Sequence, residues 1–173
     1  MVILISETKI KSEGLLSSNV SSELILSSIK IAQDQGLQPI IGTNLYKKIL
    51  TLVEDGYIDD VGYEDYKNLL DDYLTPYLLY KIVEEIQIPL SFQMKNIGTY
   101  TKNVDGTENT MAVTLADLKY VKQFYADKAE FYGKRMADYI CYNITKFPEY
   151  NVNTTNGEMV GDLKNVYKCN LNI

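Results

Sequence analysis

The stretch from Ser22 to Leu52, SELILSSIKIAQDQGLQPIIGTNLYKKILTL, leaves a folding chain few choices. Leu24, Ile25, Leu26, Ile29 and Ala32 gather towards one side at helical spacing, while Ser27, Ser28, Lys30, Gln33 and Asp34 are polar. That division predicts a half-buried helix. Gly36 stands where a left-handed C-cap is wanted, and Pro39 opposes continuation. Gly42 opens the next turn. Thr43 is placed to accept the first free N–H groups of a second helix, whose inward stripe is Leu45, Tyr46, Ile49, Leu50 and Val53. Between the helices, Pro39, Ile40 and Ile41 make an apolar turn, where water-facing connections are polar. Gly36, Pro39, Ile40, Ile41 and Gly42 therefore predict a structural elbow on which another part of the chain packs.

The 173 residues suffice for one domain with a sizeable core. Residues 2–5 are apolar and β-prone and 6–13 are polar, which predicts a short edge strand or an extended N-terminal arm. From Tyr63 to about Gln87 the positions Tyr66, Leu69, Leu70, Tyr73, Leu74, Tyr77 and Leu78 keep helical spacing. Thr75-Pro76 predicts a break or sharp kink there, giving helices over about 63–74 and 76–88, with Pro89 ending the second. Segment 96–113 turns β-prone about Asp105-Gly106 and predicts a small projecting hairpin. Thr114 can cap the longest element, with Asp117 in its first turn. Its stripe of Leu118, Val121, Tyr125, Tyr132, Met136, Tyr139 and Ile144 runs on to Phe147, where Pro148 stops it. Such a helix is roughly 45–50 Å long, more than a compact domain of this size needs. Gly133 is a candidate kink. Residues 151–173 have no periodicity and read as an arm lying across another surface, or as a frayed tail. The expected fold is mainly α. It is a bundle of about four to five helices with one long C-terminal helix, a small hairpin and extended N- and C-terminal arms. The helical domain covers 1–150 and the arm 151–173.

Composition closes off several functions. The chain has no His, which removes His-based triads, His-ligated metals and the commonest general base near neutral pH. Cys141 and Cys169 cannot close a structural zinc site alone; Cys141 reads as a small apolar residue within a helix, and nothing marks a disulfide framework. The pairs Asp59/Asp60, Asp71/Asp72 and Glu84/Glu85 are adjacent, so their carboxylates do not share a helix face and read as solvated edges. Lys47-Lys48 reads the same way. No phosphate loop and no nucleophile elbow is present. With a net charge of −6 and Arg135 as the one arginine, the chain lacks the basic face that grips nucleic acid. No stretch approaches a membrane span, and the opening Met-Val-Ile-Leu-Ile is short for a signal peptide. Neither an enzyme nor a cofactor is expected. The 15 Tyr against 4 Phe and no Trp fit surfaces that are half buried or buried on assembly, and equally fit AT-rich codon usage.

The elbow carries a resemblance. Gln33-Asp34, Leu37-Gln38-Pro39-Ile40-Ile41-Gly42 and Leu45-Tyr46, within IAQDQGLQPIIGTNLYKKIL, resemble a signature in phage and prophage proteins from Bacteroidetes. These look like the head–tail connector (adaptor, or ring) proteins of tailed bacteriophages, including the crAss-like group. The similarity runs from the N-terminal strand to Phe147-Pro148-Glu149-Tyr150 and is densest between Ile29 and Leu50. It implies an α-helical subunit of a twelvefold ring, a homo-oligomer under the portal protein. Such rings meet further connector or tail proteins and extend the channel through which genomic DNA passes without specific binding. The implied location is the virion, at the portal vertex, with host cytoplasm during assembly.

Two readings of function follow. One is the structural ring subunit. The other is a monomeric, acidic, Tyr-rich binding module for a phage or host protein. On the first, segments 96–113 and 151–173 make the assembly contacts, through Ile97, Tyr100, Val104, Met111, Val160, Leu163, Val166, Tyr167 and Leu171, because none of these fits a helix stripe of the domain.

Overall fold

A computed structural model of the chain describes residues 2–13, 15–95, 98–101 and 114–151. The described fold is mainly helical. In chain order it comprises α1 (Glu7–Ser12), α2 (Ser22–Ile31), α3 (Gln38–Ile41), α4 (Thr43–Glu54), α5 (Glu64–Leu69) and α6 (Thr75–Ser91). The strands β1 (Phe92–Lys95) and β2 (Gly98–Thr101) follow, then α7 (Leu115–Tyr142) and α8 (Pro148–Asn151). The central element is α6. It packs against α7 on one side and α2 on another. Leu74, Leu78, Ile82, Val83 and Ile86 carry the core through its length, with Ile25, Ile29, Leu45, Ile49, Met136 and Ile140 from the surrounding helices.

Pro39 and Pro76 do not break their helices, contrary to expectation. A wider, π-helical turn precedes each: Ala32–Leu37 before Gln38-Pro39, and Leu70–Leu74 before Thr75-Pro76. The residue ahead of each proline donates its N–H five residues back, Gln38 to the Gln33 carbonyl and Thr75 to the Leu70 carbonyl. A proline ring inside an α-helix clashes with the carbonyl four residues earlier and leaves it unpaired. One extra residue per turn relieves that conflict, and π turns of this kind occur as single insertions in α-helices. α2 thus continues through its π turn into α3, and α5 into α6. Gly36 lies within the first π turn and is not a left-handed cap. The chain reverses at Gly42, with φ 77° and ψ 158°, a region open essentially to glycine alone. Gly42 is therefore the N-cap of α4; Thr43 is its first helical residue, and its hydroxyl accepts from Gln38 Nε2 at 3.1 Å. Pro89 lies inside α6 and does not end it; the helix runs two residues further to Ser91.

Three further expectations are corrected. Residues 7–12 are a helix and not part of an extended arm, because Ser6 Oγ accepts from the Lys9 N–H and Glu7 pairs with Lys11 at 2.7 Å. The long helix stops at Tyr142, about 42 Å from its start. There the Asn143 side chain donates to the Tyr139 carbonyl, and the chain turns to bury Phe147 and Tyr150. Pro148 opens α8 rather than ending α7. The strand pair lies earlier than expected: β1 and β2 are antiparallel, Phe92 opposite Thr101 and Gln93 opposite Tyr100. No hairpin about Asp105-Gly106 is seen among the described residues, and 102–113 lie outside them. Of the expected assembly residues only Tyr100 is described; Ile97, Val104, Met111, Val160, Leu163, Val166, Tyr167 and Leu171 lie outside.

Two glycines let three helical bodies close upon one tyrosine. Tyr77 of α6 is buried between Gly36 and Gly133. A Cβ at Gly36 would lie 2.8 Å from the Tyr77 hydroxyl oxygen, and one at Gly133 would lie 3.3 Å from both the Tyr77 ring and Ile40 Cδ1. Gly133 is a point of close approach, and α7 runs through it as one helix.

Two predictions follow for stability. Gly36→Ala should lower stability by about 1–3 kcal/mol, since an added methyl in a full core forces its neighbours aside. The same change in a Tyr77→Phe background should cost less, because the atom it meets first is then gone; a double-mutant cycle from urea unfolding reads the difference. Gly42→Val should cost about 1–3 kcal/mol through backbone strain alone, seen as a melting temperature several degrees lower. An unchanged melting temperature would contradict the role given to this turn.

Candidate functional site

The residues that carry the resemblance build a polar clamp beneath the elbow. Gln33 is 3% exposed and sits in the first π turn. Its Oε1 accepts from the Leu4 N–H at 2.9 Å, and its Nε2 reaches the Val2 carbonyl and the Tyr46 hydroxyl, each at 3.4 Å. Tyr46 in turn donates to Asp34 Oδ1 at 2.9 Å. The amide serves the backbone of residues 2–4 as a neighbouring strand would, so an apolar N-terminal segment is buried without a sheet. Burial and the bond to Asp34 push the Tyr46 hydroxyl up to about 12, against the bond from Gln33.

The seam between α6 and α7 is a ladder of tyrosines. Tyr73 stacks on Tyr139 with centroids 4.0 Å apart, and Tyr80 on Tyr132 at 5.3 Å. The rungs are seven residues apart on both sides of the seam and run in opposite order, so the helices are antiparallel and meet in register. Arg135 lies over the Tyr73 ring at 4.8 Å. On one flank of the seam a cleft of about 400 Å³ is floored by Ala126, Ala129, Gly133 and Ala137 and walled by Tyr77, Lys81 and Glu84. Burial works against the charge of Lys81, but bonds to Glu85 at 2.8 Å and Glu84 at 2.9 Å outweigh it and its pKa is raised. The lysine is held as a cation between two carboxylates, with no depressed pKa to make it a nucleophile.

Two outward surfaces stand apart from this packing. On α7, Tyr120, Phe124, Phe131 and Tyr142 are exposed, at 74%, 46%, 63% and 80%. At about 100° per residue they fall within roughly 40° of one another, on the side away from Leu118, Met136 and Ile140. Lys128 lies over the Phe124 ring at 4.7 Å. The second surface is the stretch 54–72, which holds eight carboxylates against one lysine, more negative charge than the chain's net −6. Within it Lys67 pairs with Asp59, and Val61 and Tyr57 stand 95% and 53% exposed. This stretch joins the C-terminal end of α7. Lys146 pairs with Asp65 at 2.8 Å, Tyr66 meets the Phe147 ring edge-on at 5.5 Å, and Tyr66 donates to Glu149 at 2.8 Å. Burial first, and then Glu149, raise the Tyr66 hydroxyl pKa.

Of the elbow residues, Ile41 is fully buried and Ile40 lines the cleft opposite Gly133, so the elbow packs on α7. Among the described residues no group of His, Cys, Asp and Glu could hold a metal ion, and no helix is long and apolar enough to cross a membrane. Cys141 lies in α7, partly buried against the core as a small apolar residue would be, and Cys169 lies outside the described residues. Sequence reasoning missed the α7 ridge because it followed the inward stripe. The signal was present, since Tyr120, Phe124 and Phe131 recur at helical spacing on the other face. It also read the carboxylates as separate pairs and not as one charged surface.

The buried phenols predict an alkaline limit. Tyr46 and Tyr77 are raised from 10.0 to about 12, in each case chiefly by burial. The folded state favours the neutral phenol, so the stability this contributes is complete below about pH 10 and is lost as pH climbs towards 12. Tyrosinate absorbance should show a late fraction titrating near pH 12 together with loss of helical circular dichroism. Complete titration near pH 10 with the helices intact would contradict it.

No curated protein and no solved structure matches the chain. A family of unknown function, DUF6712, matches residues 37–159, from the last residue of the first π turn through α7 and α8. The chain therefore belongs to the DUF6712 family.

Proposed function

We propose that this protein is a structural subunit of a head–tail connector, forming a ring below the portal of a tailed phage that joins capsid to tail and extends the DNA channel. The observation that carries the reading is the outward face of α7. A helix about 42 Å long lines up four exposed aromatic side chains on a domain whose core is already filled from its other side. Aromatic side chains are enriched at protein–protein interfaces relative to the rest of the surface. The elbow residues that resemble connector proteins support the reading in a second way, because Gln33, Ile41, Gly42 and Tyr46 build scaffold and clamp. On this reading the partners are further copies of the chain, twelve to a ring, the portal protein, and other connector or tail proteins. The protein has no catalytic activity and no cofactor. It resides in the virion at the portal vertex, and in host cytoplasm during assembly.

The acidic balance suits a channel component. A subunit with net charge −6 repels the phosphate backbone and lets the duplex slide. Two outcomes are expected. Negative-stain microscopy of the concentrated protein should show rings, and reconstruction of the portal vertex of a particle encoding it should place one below the portal. The isolated chain should show no measurable duplex binding at physiological salt. Tight, salt-sensitive binding would revive a nucleic-acid function. A monomer at every concentration, absent from the particle, would favour the acidic binding module.

A further inference from the structure

The cleft on the flank of the α6–α7 seam presents an unused hydrogen-bond donor above an apolar floor. That floor is one face of α7. Ala126, Ala129, Gly133 and Ala137 recur three and four residues apart, so over about 16 Å no side chain larger than a methyl rises from it. The volume of about 400 Å³ falls within the range of small-molecule sites. Tyr77 forms part of the wall. It is only 4% exposed, yet among the described residues its hydroxyl makes no hydrogen bond. The oxygen is not sealed in: it keeps accessible surface, and the cleft is an opening that Tyr77 lines. A buried phenol normally finds a partner. Burial pushes the Tyr77 hydroxyl up to about 12, so at neutral pH it is protonated and can donate.

The charged side chains around the cleft are already paired with one another. Lys81 bridges Glu84 and Glu85, and Lys134 pairs with Glu130. An anion would have to draw Lys81 away from two carboxylates. A cation would arrive beside two ammonium groups. Neither sign is favoured. Water over the alanine methyls finds no partner beneath it, and an apolar group that displaces such poorly ordered water gains affinity. A flat ring suits the floor, and a carbonyl oxygen on that ring can accept from the Tyr77 hydroxyl. We propose that this cleft binds a small, neutral, planar molecule bearing a carbonyl acceptor, an aromatic amide being the simplest example. The ring lies on the alanine floor and the carbonyl meets Tyr77. The site lies within one copy of the chain, so it stands or falls independently of ring formation.

The test is a titration of the full chain, labelled with 13C at alanine methyl groups, against benzamide, benzoate and benzylamine. The three share one ring and differ in charge at neutral pH. Benzamide should shift the methyl signals of Ala126, Ala129 and Ala137 in a saturable way. Benzoate and benzylamine should bind at least about tenfold more weakly, because either charge enters beside one of like sign. Tyr77→Phe keeps the ring and removes the donor, and should weaken benzamide about fivefold, the usual worth of one hydrogen bond. Ala126→Leu, at a half-buried position of the floor, should block the cleft and abolish the shifts while the chain stays folded. No saturable shift at these methyls with any probe would overturn the site. Equal affinity for the charged probes would overturn its assignment to neutral ligands. Unchanged affinity in Tyr77→Phe, or binding that survives in Ala126→Leu, would overturn the placement of the ligand.

Discussion

The fold turns on the lodging of one phenol ring. Tyr77 leaves α6 at the point where α6 meets both the first π turn and α7, and it fits because the neighbouring positions are Gly36 and Gly133. Side chains at either would push one of the two flanking bodies away. The close approach sets the height at which α7 lies on α6. The stacks Tyr73–Tyr139 and Tyr80–Tyr132 on either side then fall into register with no adjustment. The elbow is part of the same joint, since Ile40 reaches Gly133 from the far side of the ring. A change at Tyr77 would therefore be felt in the core, in the ladder and at the elbow together, and neighbouring substitutions should not be additive.

Much of the helical content was legible because periodicity reports burial directly. The stripes of α4, α6 and α7 correspond to buried or half-buried positions, with Leu45, Ile49, Tyr77, Leu78, Leu118 and Met136 facing inward. Leu26, counted in the inward stripe of α2, is exposed. Proline is where legibility failed. Pro39 and Pro76 are strong stop signals on local grounds, and only tertiary packing on both flanks makes a continuous helix with a π turn preferable to a break. α1 failed for the opposite reason. Six residues give too little periodicity to detect, and a cap at Ser6 with one ion pair supplies what pattern does not.

The polar clamp was legible as identity but not as mechanism. Gln33, Asp34 and Tyr46 stood out as a matching set, yet nothing local says that a glutamine in a helix will serve the backbone of residues 2–4. The interaction spans about thirty positions of sequence, and its sign depends on burial that only the fold supplies. The surface charge failed similarly. Each acidic pair alone is an ordinary solvated edge, and its meaning lies in the sum over a connector, a 3₁₀ turn and the start of α5, with exposed Val61 among them. Aromatic residues on α7 divide into two populations by facing, and a rule that seeks one stripe per helix discards the other.

The second π turn is also a phase shifter. Leu70–Leu74 adds one residue to a helical screw, so everything before it is rotated by about 100° relative to α6 compared with an unbroken α-helix. That offset is what points Tyr66 at Phe147 while Tyr73 and Tyr80 point at Tyr139 and Tyr132. Removing a single residue from the turn would not merely shorten the helix. It would swing α5 and its carboxylates round the axis by more than a quarter of a revolution, relocating the charged end while leaving α6 seated. In relatives of this chain, a one-residue gap at this place would therefore mark a change in the direction in which the molecule faces its neighbours, with the same core beneath.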